Sequence, residues 1–166
     1  MPHLTPWGGV GQTAGMDDTD RALVQALMER GRAPYAELGR IVGLSGPSVQ
    51  ERVKRLEDRG VITGFHAVVD PASVGLGVSA LVGIHSSDGA ETDDVGRRLR
   101  AVVEIEDCWF VAGDEEFVIK VRAPDVAALE HVVSKVRRLR GVARTRTTVI
   151  LSTRWEHRAG PLPEAE

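Results

Sequence analysis

Residues 36–60 read Ala-Glu-Leu-Gly-Arg-Ile-Val-Gly-Leu-Ser-Gly-Pro-Ser-Val-Gln-Glu-Arg-Val-Lys-Arg-Leu-Glu-Asp-Arg-Gly. Leu38, Ile41 and Val42 recur at the spacing of one helical face. Gly43 suits the left-handed conformation that ends a helix, and Ser45 suits the cap of the next. The pattern is helix, tight turn, helix. In the second helix Val49, Val53 and Leu56 fall at i, i+4 and i+7 and turn inward. Ser48, Gln50, Glu51, Arg52, Lys54, Arg55 and Arg59 are thereby expected to face outward.

A polar, mostly basic helix face of this kind has the diameter and the donors to enter a major groove. Ser48, Gln50, Glu51 and Arg52, near the N-terminal end, are placed for base edges. Lys54, Arg55 and Arg59, further along, suit phosphates, which position a protein without reading sequence. A charged helix face alone is most often only solvated. The tight Gly43-Leu44-Ser45 turn is what turns the reading towards double-stranded DNA.

The chain has 166 residues, 42% of them hydrophobic, enough for two small domains with packed cores. Its formal net charge is −3, so any affinity for nucleic acid comes from the local patch at residues 52–59, not from an overall basic surplus. Glu51, Glu57 and Asp58 dilute that patch, which implies weak binding per copy and reliance on assembly. Cys108 is the single cysteine; it excludes an internal disulfide and a cysteine-built zinc site, and its place in an apolar run suits core packing. No apolar stretch reaches bilayer length and no signal-peptide pattern opens the chain, so a soluble, cytoplasmic protein without membrane association is expected.

Outward from the central stretch, residues 1–15 hold two prolines and four glycines without periodicity and read as a flexible extension. Met16 is an alternative translation start, and a chain beginning there is expected to fold and bind DNA normally. Asp17, Asp18 and Asp20 suit a helix N-terminus, followed by a stripe of Leu23, Val24, Leu27 and Met28 up to Gly31. Pro34 fits the first position of the next helix. Residues 16–60 thus form the DNA-binding domain, and 61–75 a linker with a strand through Phe65, Ala67 and Val69, broken at Asp70-Pro71.

Residues 76–151 form the second domain. A strand runs from Gly77 to His85, a helix carries Val95, Leu99, Val102 and Val103, and a strand spans Ile105 to Ala112. Gly113 opens a hairpin whose return strand is Phe117, Ile119 and Val121. A helix after Pro124 carries Val126, Leu129, Val133 and Val136, and Val142 to Leu151 close the domain as a strand with Arg144 and Arg146. The order βαββαβ is the ferredoxin-like plan. Residues 152–166 are an irregular C-terminal tail in which Trp155 is a candidate contact to a partner subunit.

Asp17 with Asp20-Arg21, Gly43-Leu44-Ser45, Val49, the run Arg52-Val53-Lys54-Arg55-Leu56-Glu57, Gly60-Val61-Ile62, and Gly141-Val142 followed by Thr145-Arg146-Thr147 together resemble the leucine-responsive and asparagine-operon regulators, the Lrp/AsnC family. The likeness runs from Met16 to about Leu151. It implies an α+β protein with an N-terminal helix-turn-helix (winged-helix-like) domain and a C-terminal RAM domain, for regulation of amino acid metabolism. It also implies homodimers that assemble to tetramers or octamers, with an amino acid or related small molecule as effector.

The family's Gly-x-x-Asp effector motif aligns with Gly113-Asp114-Glu115-Glu116, so these four are the expected effector-binding residues. The aspartate of the motif is Glu116 here, and one added methylene moves the carboxylate by more than about an angstrom. Glu115 and Phe117 stand where tyrosines are frequent, and Arg140 where proline is frequent. A solvated hairpin tip is the bland alternative for so many acids together. Two other functions share the plan. One is a sirohaem decarboxylase-like enzyme, for which His66, His85, His131 and His157 show no ligand spacing. The other is a metabolite sensor acting on a protein partner. No nucleophile with its base, phosphate loop or carboxylate cage is present, so no enzyme activity, cofactor or metal is expected.

Overall fold

The computed structural model describes residues 16–157, 160 and 162; the extension 1–15 lies outside the described residues. The chain divides into two compact units. One contains the residues up to Ala67 together with the described residues from His157 onward, and the other spans Val68–Glu156.

The first unit holds α1 (Asp18–Glu29), α2 (Tyr35–Val42) and α3 (Gly46–Asp58). Asp17 caps α1 by accepting the Asp20 backbone N–H at 2.7 Å, which satisfies one of the open donors of the first turn. Pro34 stands one residue before α2, at its cap position, so its missing N–H still costs nothing. Gly43 ends α2 at φ +70°, and Ser45 caps α3 by accepting from Ser48 N–H at 3.3 Å. The Leu44 N–H donates back to the Gly39 carbonyl at 2.9 Å. That bond folds the turn directly onto α2 and requires Gly39, where a β-carbon would stand 2.3 Å from the Leu44 carbonyl oxygen.

Leu23, Ala26, Leu27, Leu38, Val49 and Val53 form the core of this unit. Ile41 and Met28, expected on the apolar faces, are half exposed at 50% and 45%, because Gly39 and Ala26 take the inward positions beside them. The Leu162 N–H donates to the Gln25 side-chain oxygen at 3.2 Å and returns part of the tail to α1.

Residues 61–70 do not form the expected strand. They stay without ladder pairing, and Ala72–Val74 make a single 3₁₀ turn. An extended segment becomes a strand only when another offers hydrogen bonds at its edge, and among the described residues none does. Phe65, Val68 and Val69 are left exposed.

The second unit is β1 (Val78–Ser86), α4 (Thr92–Arg100), β2 (Ile105–Phe110), β3 (Phe117–Ala123), α5 (Val126–Arg137) and β4 (Val142–Ile150). The sheet order is β2-β3-β1-β4 with every neighbour antiparallel, the ferredoxin-like arrangement. Ala80, Val82 and Ile84 of β1 and Phe117, Ile119, Val121 and Ala123 of β3 bury one sheet face against Val95 and Leu99 of α4 and Leu129, Val132 and Val136 of α5. Val126 and Val103 are not in this core; they are 69% and 87% exposed, at the start of α5 and beyond the end of α4.

The opposite face carries Leu81, Val118, Lys120, Arg122 and Trp109, as the period-two pleat dictates. Glu106 is an extra residue in β2, since Ile105 pairs with Val121 and Asp107 already with Lys120. This bulge turns its carboxylate towards Lys120 Nζ (3.0 Å) and Arg122 Nε (2.7 Å). Glu156, beyond β4, closes the network at 2.6 Å from Lys120 Nζ and 2.6 Å from Arg122 Nη2. Among the described residues no helix is long and apolar enough to cross a membrane.

Candidate DNA-reading helix and effector groove

The structure puts Ser48, Gln50, Glu51, Lys54 and Arg55 together on the exposed side of α3, with Val49, Val53 and Leu56 buried beneath them. Arg59 is exposed too, but it is the residue that caps α3 and no longer one of its turns. The Ser45 and Ser48 hydroxyls lie 2.9 Å apart, so the N-terminal end of α3 presents hydroxyls and open backbone donors, groups that suit phosphate oxygens.

Arg52 is placed differently from its neighbours. Its Nη1 donates to Asp17 Oδ2 at 2.7 Å and to Asp20 Oδ1 at 2.7 Å, so the guanidinium turns to α1 instead of projecting outward. The Arg52 hydrogen bond, with the Asp20 backbone N–H, draws the Asp17 carboxyl below its usual range. Hydrogen bonds to Asp17, and then to Asp20, hold the Arg52 guanidinium above its ordinary value. The sequence carries the signal for this: Arg52 is three residues after Val49 and four before Leu56, which sets it on the shoulder of the buried stripe.

In the second unit all four expected effector residues, Gly113, Asp114, Glu115 and Glu116, line one groove of about 330 Å³ with His85, Ser86, Val111 and Ala112. The hairpin is anchored on β1, since Glu116 N–H donates to the Ile84 carbonyl and Val111 N–H to the Glu116 carbonyl, both at 2.9 Å. The Glu116 side chain accepts from Thr92 Oγ1 at 2.6 Å, in the first turn of α4. The Ser86 hydroxyl, and then Thr92, hold its carboxyl below the usual range, and the helix N-terminus favours the same charge.

Glu115 turns the other way, to Arg146 of β4, whose Nε donates to it at 2.7 Å. The Arg146 hydrogen bond lowers its pKa, and the charge of His85 assists. Gly83 makes room for this carboxylate, because a β-carbon there would lie 2.6 Å from Glu115 Cγ. A second hollow of about 310 Å³ adjoins the first, lined by His85, Asp114, Glu115, Arg144, Thr145 and Arg146.

The hairpin therefore gathers both signs of charge. Sequence reasoning found its acids but missed His85, Arg144 and Arg146, which the β1–β4 register brings alongside: His85 pairs with Arg144 and Gly83 with Arg146. Alternation on adjacent strands could have indicated them only once the strand order was known.

Residues 16–57 match the family model described as AsnC-type helix-turn-helix domain, and residues 79–160 the Lrp/AsnC ligand binding domain. The transcriptional regulator LrpA of Mycobacterium tuberculosis is 43% identical over 143 residues, covering 86% of this chain and 95% of that one. A feast or famine regulatory protein from M. tuberculosis, solved in complex with L-methionine, superposes with a TM-score of 0.83 at 42% identity, covering 88% of this chain and 99% of that chain. A transcriptional regulator from Neisseria meningitidis, also solved with L-methionine, gives 0.79 at 27% identity, with 89% and 96% covered. With both units matched in order along the chain, this protein belongs to the Lrp/AsnC family of helix-turn-helix transcriptional regulators.

Proposed function

We propose that the first unit reads duplex DNA through α3, and that the second binds an amino acid beside the β2–β3 hairpin and joins copies of the chain into dimers and larger assemblies. The observation that carries this reading is the convergence of Asp114, Glu116, His85 and Arg144 on adjoining hollows in a chain whose other unit exposes a polar face of α3. A free amino acid is a zwitterion with an ammonium and a carboxylate a few angstroms apart. Asp114 and Glu116 suit the ammonium, Arg144 and His85 the carboxylate.

Glu116 reaches back to Thr92, so its longer side chain is accommodated by tucking the carboxylate towards α4. This favours a preference different from that of an aspartate-bearing relative. Calorimetry across the twenty amino acids, L-methionine included, tests the proposal. Binding of at least one of them that is lost in Asp114→Asn or Glu116→Ala is the expected result, and silence from all twenty sinks it.

At the DNA, Ser48, Gln50 and Glu51 are assigned to base edges and Lys54, Arg55 and Arg59 to phosphates. Removal of Lys54 or Arg55 is expected to weaken binding equally on all sequences and to reduce the salt slope by about one unit each. Loss confined to one operator position would reassign that residue to a base.

Association through the open sheet face is supported by Leu81, opposite Lys120, and Trp109, opposite Val118, 37% and 44% exposed, and by Trp155 at 74%. The extended residues 65–69 likewise have an unpaired backbone that a second copy suits. Two α3 helices related by a twofold axis would meet half-sites about 34 Å, or a multiple of it, apart. Footprinting on duplex selected from a random library by the full chain tests this spacing, and protection of a lone half-site by a monomer would overturn it.

A further inference from the structure

We propose that Arg52 is a positioning residue, which fixes the stance of α3 on α1 through Asp17 and Asp20 and makes no contact of its own to bases or phosphates. The inference rests on the reading that α3 is the DNA-contacting helix.

A single nitrogen, Nη1, supplies both bonds, each 2.7 Å long. Its two hydrogens are thereby used, one on each carboxylate. The two acceptors are unlike. Asp17 is the cap of α1, 55% exposed at its side chain, and its other oxygen already holds the Asp20 N–H. Asp20 is nearly buried, 10% exposed at its side chain. A carboxylate at that depth needs a hydrogen-bonded partner of opposite charge, and Arg52 is the one it has in α3.

The clamp therefore joins the first turn of α1 to the middle of α3, beside the apolar cluster of Leu23, Val49 and Val53. Val49, Val53 and Leu56 hold α3 down, but an apolar stripe is tolerant of a few degrees of roll and of small shifts along the axis. A charged nitrogen held by two fixed acceptors on α1 is not. Base reading needs donors placed to well under an angstrom, so the clamp acts on every outward side chain of α3 at once.

Charge gives this proposal a sign that the alternatives lack. If Arg52 touched DNA, the neighbouring Asp17 and Asp20 would only repel phosphates, and neutralising them would tighten binding. If Arg52 positions α3, neutralising them loosens it.

The test uses the full chain and a duplex it has itself selected from a random-sequence library, with affinity measured over a range of salt concentrations for Arg52→Ala, Asp17→Asn and the pair Asp17→Asn with Asp20→Asn. Asp17→Asn keeps a good helix cap and so guards against a variant that fails to fold. The expected results are weaker binding for Asp17→Asn, and a loss of about tenfold for the pair and for Arg52→Ala. The loss should be spread evenly over operator positions, with the salt slope unchanged, and Arg52→Ala should add little in the background of the pair.

Tighter or unaltered binding by the aspartate variants overturns the proposal. So does a fall of about one unit in salt slope for Arg52→Ala, which marks a phosphate contact, or relaxed specificity at one position, which marks a base contact. Lys54→Ala on the same duplex separates the two levels: if wild-type protein selects no duplex, or Lys54→Ala changes neither affinity nor slope, it is the assignment of α3 to DNA that fails.

Discussion

Alanine at Gly39 is expected to destabilise the first unit and to abolish binding to DNA, although alanine is the better helix former. In an unobstructed helix interior the exchange would gain about 1 kcal/mol, because glycine gives up more backbone entropy on folding. At Gly39 the new methyl group would stand 2.3 Å from the Leu44 carbonyl oxygen and 3.3 Å from its carbon. Backbone cannot swing aside as a side chain does, so the α2–α3 turn must open, breaking the Leu44 N–H bond to the Gly39 carbonyl. Overpacking of this kind costs about 1–3 kcal/mol, which outweighs the propensity gain. It falls on a three-helix core that has little stability to lose.

Gly46 is the control. It sits in the first turn of α3, and its nearest neighbour to an added β-carbon is 3.7 Å away. Gly46→Ala should be neutral or stabilising and leave DNA binding intact. Urea unfolding of both variants, followed by binding to the selected duplex, distinguishes them. A Gly39→Ala protein as stable as wild type would show that the turn yields more easily than its geometry implies.

How much of this was legible in the sequence depends on how local each determinant is. The helix-turn-helix could be read from Gly43 and Ser45 because capping and positive φ are properties of a few adjacent residues. Gly39 was invisible as the turn's key residue: a glycine four positions before Gly43 looks like a weak spot in a helix until the path of Leu44 is known. The βαββαβ order was legible from alternation and three-four spacing, since each element buries one face. Residues 65–69 alternate as well as any strand, yet pair with none of the described strands, because a strand is defined by a partner and the sequence of one chain does not name it.

The candidate sites divide in the same way. Gly113 to Glu116 are consecutive and were found together; His85, Arg144 and Arg146 lie on strands whose adjacency follows from sheet order. Arg52 was grouped with the outward residues because it lies off the Val49, Val53 and Leu56 stripe, whereas its angular position beside Val49 and Leu56 already set it at the edge of that stripe. Glu156 meets Lys120 and Arg122 across 36 and 34 positions of sequence, and no periodicity reports that.

That last network sets the second large effect. Lys120 is 6% exposed and Arg122 9% at its side chain, and both depend on Glu106 and Glu156 for charge compensation. Burial favours the neutral lysine, but Glu156 and Glu106 outweigh it and hold the Lys120 pKa above its ordinary value. Burial likewise favours a protonated Glu106, and Lys120 with Arg122 overcomes it, so its pKa is lowered. Lys120 does the same for Glu156, with help from Arg122.

Replacing both glutamates by glutamine leaves two cations without counter-charge in the sheet, and removing the partner of a buried ion costs about 3–5 kcal/mol. Glu106→Gln alone should cost much less, since its carboxylate is 39% exposed and solvent screens it. The pH dependence has a definite sign. A carboxylate whose folded pKa lies below its unfolded value of about 4.3 contributes fully above that value and loses its contribution as pH falls through the folded pKa. The gap between wild type and the double variant should therefore be widest at neutral pH, hold down to about pH 5, and close in stronger acid.

Replacing all four charged residues with apolar ones of similar volume should recover most of the loss, because the desolvation penalty disappears with the charges. Chemical unfolding of wild type and these three variants as a function of pH measures this. A double variant as stable as wild type at neutral pH, or a gap that widens in acid, would mean that solvent and not Glu106 and Glu156 balances Lys120 and Arg122.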